Sequence, residues 1–148
     1  MNKIFKYFLY LILNLLFLSI PSMSEETKIK LGLLVPLSGN NAELGKQIIK
    51  SVRLALKDIE NNQIEIYPKD TESNPNQTLR SAKEFEQMGI NLVIGPIFYE
   101  NLINLEEVDK ITFLSLTNKT IELPNNVISS GINSTSQINA IKKFIELN

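Results

Sequence analysis

The sequence predicts an α/β fold: a doubly wound, five-stranded parallel sheet with helices on both faces. Three observations predict it. Runs of β-type residues alternate with runs of helical period along the chain. The first β-type run is almost wholly apolar, as a strand buried on both faces must be. The loops between runs span two to eight residues, the length that joins strands to helices in such sheets.

The elements follow in order. Ile29 to Val35 (IKLGLLV) is the first strand and ends at Pro36. After a polar loop, Leu44, Ile48, Val52, Ala55 and Ile59 recur at helical spacing, with Ile49 and Leu56 beside them, so a helix runs to about Glu60. Gln63 to Lys69 alternates Ile64 and Ile66 with polar residues, and its Pro68 suits an edge strand. Asn74-Pro75 reads as a cap followed by proline at the first helical position. Leu79, Ala82, Phe85 and Met88 make that helix's apolar stripe, and Gly89 closes it. Asn91 to Gly95 is a third strand. Tyr99 to Asp109 reads as a helix through Leu102, Ile103, Leu105 and Val108. Ile111 to Leu116 and Asn126 to Gly131 are the last two strands. Ser134 with Gln137 forms a capping box that opens a helix carrying Ile138, Ile141 and Ile145.

Sheets of this class hold ligands at the carboxyl ends of their strands, near the switch in strand order. Three polar groups lie there: Ser38-Gly39 after the first strand, Pro96 to Tyr99 after the third, and Ser115 to Thr117 at the end of the fourth. Their hydroxyls, with free N–H groups at helix starts, suit the carboxylate of a small ligand. Ordinary turn and cap chemistry would use the same residues.

Composition narrows the function further. The 148 residues include no His, Cys or Trp. That excludes a Ser-His-Asp triad, a cysteine nucleophile, Cys/His metal sites and lipidation of a cysteine. Fifteen basic residues against sixteen acidic ones argue against a nucleic-acid binder. Neither G-x-G-x-x-G nor a G-x-x-x-x-G-K-[ST] loop is present, since Gly39 and Gly45 have the wrong spacing. Asp70 and Glu72 could pair as acid and base, but carboxylates in a Ser/Asn/Pro-rich loop are usually solvated or capping. That loop also lacks the ligand order of an EF-hand. Ser38 has no base spaced to activate it. Asn76, Asn118 and Asn133 open N-x-[ST] triplets, a pattern common by chance in an Asn-rich chain. The chain is read as non-enzymatic, with no cofactor and no metal.

The start of the chain is different in kind. Lys3 and Lys6 precede Tyr7 to Ile20, in which only Asn14 and Ser19 are polar, and Ser22-Met23-Ser24 sets small residues two apart. These are the three parts of a secretory signal peptide. The apolar run is short of the roughly 20 residues a bilayer span takes, although an uncleaved anchor is the alternative. Cleavage after Ser24 would divide the chain into a signal, 1–24, and a single domain, 25–148. Losing Lys3 and Lys6 from 15 basic residues leaves 13 against 16 acidic ones, a net charge of −3.

Taken in order, IKLGLLVPLSG, LAL at 54–56, IYPKDT, LVIGP at 92–96, LSLTN at 114–118 and SSGIN resemble the leucine/isoleucine/valine-type periplasmic binding proteins. These are the extracytoplasmic receptors of branched-chain amino-acid ABC importers. DTESNPNQTL, GPIFYEN and LSLTN are most similar to the penicillin-binding protein activators, which use the same fold to stimulate peptidoglycan synthases. The resemblance runs from about Lys28 to the end and implies a periplasmic location. It implies either an importer's solute receptor, with ABC membrane subunits as partners, or an activator partnered by a synthase. Ser115 and Thr117 fall on positions where the receptors hold an amino acid's polar groups. After the third strand the receptors place serines, whereas this chain has Phe98, Tyr99 and Glu100. Leu44 stands where leucine receptors set an aromatic. The resulting candidate site is Ser38, Leu44, Tyr99, Ser115 and Thr117. The family has two lobes that close on ligand, and this chain matches one. The resemblance therefore implies a fragment, a split gene or a truncated lineage, with a second lobe or another copy as partner.

Overall fold

The computed structural model describes Lys3, residues 28–59 and residues 63–147. The expected export segment, its expected exit at Ser24 and the expected new terminus at Glu25 lie outside the described residues, apart from Lys3.

Five strands pair in one parallel sheet: β1 (Ile29–Val35), β2 (Ile64–Asp70), β3 (Leu92–Ile94), β4 (Thr112–Ser115) and β5 (Val127–Ser129). Their spatial order is β2-β1-β3-β4-β5. The chain steps one way from β1 to β2, then crosses back to β3. Crossovers between parallel strands are right-handed, so this reversal puts α1 (Ala42–Asp58) and α2 (Pro75–Gln87) on opposite faces. The doubly wound class is present, with its switch point between β1 and β3. β2 is an edge strand, paired with β1 over its full length from Ile29↔Ile64 to Val35↔Asp70.

The two faces are covered unequally. Side chains alternate along a strand, so Leu34, Val93, Phe113 and Val127 point to the α2 face. There they pack with Ala82, Phe85 and Ile90, and with Leu102, Leu105, Val108 and Ile111, in one buried cluster. Gly32 is required on this face: a Cβ there would lie 2.8 Å from Val93 Cγ2 and 3.1 Å from the Phe85 ring. Each large apolar side chain so buried contributes roughly 1.5–3 kcal/mol, so this layer supplies most of the fold's stability. On the opposite face α1 half-buries Ile48, Ile49, Val52 and Leu56, while Leu44 and Ile59 from its expected stripe stay exposed. Farther across that face, Leu92 and Ile128 are 39% and 55% exposed.

Asn74 caps α2 as the sequence predicts, its side chain accepting from the N–H groups of Asn76 and Gln77. Gly89, at φ +71°, closes that helix, and Ile90 N–H donates back to Phe85 C=O. The helix expected over Tyr99 to Asp109 is instead two 3₁₀ turns, Tyr99–Leu102 and Leu105–Glu107, broken at Asn104 with φ 67°. The buried residues Leu102, Leu105 and Val108 recur every third position, which is the 3₁₀ period and not the α period. The capping box of α3 (Ser134–Leu147) lies one residue earlier than expected. Ser136 N–H donates to Asn133 Oδ1, and Asn133 N–H donates to Ser136 Oγ. No residue of α3 is buried.

Candidate ligand shelf at the carboxyl ends of the strands

The switch in strand order lies between β1 and β3, and the loops after β1, β3 and β4 all leave the carboxyl edge of the sheet. The loop after β1 is held from below. Leu37 N–H donates to Asp70 Oδ1 at 2.7 Å, and the same oxygen accepts Glu72 N–H at 2.8 Å. Burial is the largest single influence on Asp70 and pushes its pKa up. The hydrogen bonds from Leu37, Glu72 and Ser38 together outweigh it and hold the carboxyl below its ordinary value. Asp70 is thus an ionised tie between loops, and its chemistry is spent on backbone N–H groups. Ser38 sits exposed in extended backbone at the entry to the 3₁₀ turn Gly39–Asn41. α1 then starts hard against this loop at Gly45, where a Cβ would lie 1.8 Å from Pro36 O.

After β4 the hydroxyls turn inward. Ser115 is fully buried, on the same side of its strand as Phe113. Its Oγ donates to Pro96 O at 2.8 Å and accepts Thr117 N–H at 3.3 Å. Ser129 Oγ donates to Thr117 O, while Ser130 donates through both N–H and Oγ to Ser115 O. Gly131 N–H also donates to Thr117 O, and a Cβ at Gly131 would lie 2.3 Å from that oxygen. This belt fixes the loops after β3, β4 and β5 to one another. Thr117 Oγ1 accepts Lys119 N–H at 3.3 Å, and the residue is itself only 4% exposed.

Tyr99 and Thr117 line one open depression of about 530 Å³, with Phe98, Glu100, Asn118 and Ile132. Behind Tyr99 lies a second depression of about 410 Å³, lined in part by Leu102, Asn104, Glu122 and Pro124. Ser38 and Leu44 line neither, and Ser115 lies beneath the surface. The structure therefore brings Tyr99 and Thr117 together and leaves Leu44 apart, on the first turn of α1.

Sequence reasoning missed Lys119. Its Nζ lies 3.4 Å from the centre of the Tyr99 ring and 3.5 Å from Glu122 Oε2. Contact with the Tyr99 side chain is the largest influence raising its pKa; burial opposes it and Glu122 adds to the rise. No spacing connects residues 99 and 119. The available signal was that both follow adjacent strands. Helix N-termini, expected to contribute N–H groups after β3, are replaced there by the short 3₁₀ turn. Among the described residues no three carboxylates gather as a metal site, and no helix is long and apolar enough to cross a membrane. The shelf thus offers an aromatic face at Tyr99 and a polar wall at Thr117 and Asn118, with Lys119 held on the Tyr99 ring and on Glu122. That is binding chemistry.

The periplasmic binding protein family model matches residues 28–141. The chain belongs to that family. Among solved structures, the C-domain of LpoA from Haemophilus influenzae, a regulator of PBP1A, is 26% identical, with a TM-score of 0.57 over 70% of this chain and 32% of that one. A solute binding protein of an R. palustris ABC transporter, in complex with benzoate, is 22% identical, with a TM-score of 0.55 over 61% and 27%. The branched-chain amino-acid binding protein LivJ of Streptococcus pneumoniae, in complex with isoleucine, is 21% identical, with a TM-score of 0.57 over 68% and 33%. The last two likenesses concern the fold alone. This family member spans about a third or less of each of those chains. No curated protein matches the chain by sequence.

Proposed function

We propose that this chain is an exported, non-enzymatic binding lobe that acts at the periplasmic face through its shelf. Two finer roles divide the family: solute receptor of an amino-acid ABC importer, and regulator of a peptidoglycan synthase. The burial of Ser115 carries the choice. A receptor needs hydroxyls presented to the ligand, and this one is fully buried and bonded to Pro96 O. Phe98 and Tyr99 fill the place after β3 where small hydroxyl residues would be needed. Both changes favour a surface that meets a protein, and the synthase-regulator reading follows.

One observation favours the receptor: Thr117 lines the depression beside Tyr99, whose ring carries the Lys119 ammonium. Two measurements separate the roles. Calorimetry with leucine, isoleucine, valine and benzoate tests the receptor, and capture of a purified peptidoglycan synthase tests the regulator. Saturable binding of one amino acid with no synthase capture would reverse the choice. Sequencing the amino terminus of exported protein tests the export step, with Glu25 expected first.

A further inference from the structure

α1 turns a basic stripe outward. Lys46, Lys50, Arg53 and Lys57 follow one another at spacings of four, three and four residues, so a helix places them within one narrow arc. All four are exposed, and they lie roughly opposite the half-buried Ile48, Val52 and Leu56. None of them takes part in an ion pair among the described residues, where the pairs are Lys69–Glu84, Lys83–Glu107 and Lys119–Glu122. The acids of α1, Glu43 and Asp58, stand at its two ends. In a chain whose charges almost cancel, four unpaired cations on one face form a strong local field.

Lys46, Lys50 and Arg53 rim a shallow depression of about 360 Å³ whose remaining wall is Ile49. Leu54, 58% exposed, flanks the stripe. We infer that this face of α1 seats on a bilayer rich in anionic phospholipid. Three cations around an apolar floor suit a headgroup phosphate above its acyl chains, and flanking apolar residues suit the interfacial position of an amphipathic helix. The stripe's extent selects the surface over a free anion. From Lys46 to Lys57 it runs about 16 Å at 1.5 Å per residue, far longer than one phosphate and matched by a row of headgroups. The inference is independent of the shelf and concerns the outward side of α1.

The absence of cysteine from the chain makes the test clean. Leu54→Cys in the full chain carries one environment-sensitive fluorophore at the stripe, and Gln87→Cys carries it on α2 as a control. The Leu54 label should shift with vesicles of phosphatidylglycerol in phosphatidylcholine and not with phosphatidylcholine alone. The control label should stay unchanged. Each cation near such a surface adds roughly a fivefold gain, so K50Q/R53Q should weaken the response about 25-fold. K46E/K57E, at equally exposed positions, should abolish it, as should salt near 0.5 M. Both double substitutions keep the apolar amino-terminal run, so attachment through that run would survive them and is told apart from the stripe. An equal shift on neutral vesicles would overturn the inference. So would a shift that survives both double substitutions, or one that inorganic phosphate alone reproduces.

Discussion

Asp70, the last residue of β2, receives the N–H of Leu37, the second residue beyond β1, at 2.7 Å. The bond joins the loops leaving two paired strands just below the shelf, and Glu72 N–H shares the same oxygen. Because these donors favour the charged form, the folded pKa of Asp70 lies below its ordinary value of 3.8. The sign follows from the lowered value. The stabilisation is complete above the unfolded pKa and is lost as pH falls through the folded one. Asp70→Asn should therefore cost about 1 kcal/mol at pH 7, the worth of a charge-assisted bond reduced for partial exposure. Urea midpoints for the two proteins should converge as pH falls below about 4. A constant difference across that window would refute the tie.

Gly45 sets how closely α1 approaches the end of β1. An added methyl would have to displace backbone, because its nearest neighbour is Pro36 O at 1.8 Å. Gly45→Ala should destabilise by about 3 kcal/mol, the upper range of overpacking, against the small gain in helix propensity. Gly39→Ala meets no atom within 4 Å, yet its φ of +69° strains any side chain, at a cost of about 1 kcal/mol. Thermal unfolding of the pair should rank Gly45→Ala well below Gly39→Ala.

Ser115 and Thr117 should separate stability from binding. Ser115→Ala removes one of two donors to Pro96 O, which keeps Leu116 N–H, and takes the Oγ acceptor from Thr117 N–H, costing about 1–3 kcal/mol. Ligand or synthase binding, measured on the folded fraction, should not change, because Ser115 does not reach the shelf. Thr117→Val keeps the residue's shape but removes the hydroxyl from a residue that lines the depression. It should weaken binding with a smaller loss of stability. The reverse pattern would place Ser115 in contact with ligand.

Much of the fold was legible because its signals are local. A continuous apolar run in β1, Asn74-Pro75 before α2 and Gly89 after it each act within a few residues, and the structure keeps them. The segment after β3 was harder. Leu102, Leu105 and Val108 satisfy a helical stripe loosely, but their strict spacing of three and the left-handed Asn104 select 3₁₀ turns. At the shelf the sequence gives the right strand ends without the side-chain directions. Ser115 and Thr117 read alike as hydroxyl residues and both are buried; only the folded loop shows that Thr117, beyond the end of β4, also lines the depression. The Lys119–Tyr99 contact depends wholly on β3 lying beside β4, a tertiary fact with no local signature.

The shelf's openness bounds what it can hold. Tyr99 and Thr117 line a depression that is wide and shallow, so a small ligand there stays partly hydrated. Each hydrogen bond then contributes a net 0.5–1.5 kcal/mol or so, and several are needed to offset the entropy of association. Free leucine, isoleucine or valine should accordingly bind no tighter than about millimolar, near −4 kcal/mol. A large apolar partner does better on the same surface, because Phe98 and Ile132 add area without needing enclosure. Calorimetric titration with those amino acids, run beside light scattering on the same sample, tests the bound. Micromolar affinity in a strictly monomeric sample would show that one lobe encloses its ligand after all, and would sink the protein-partner reading of the shelf.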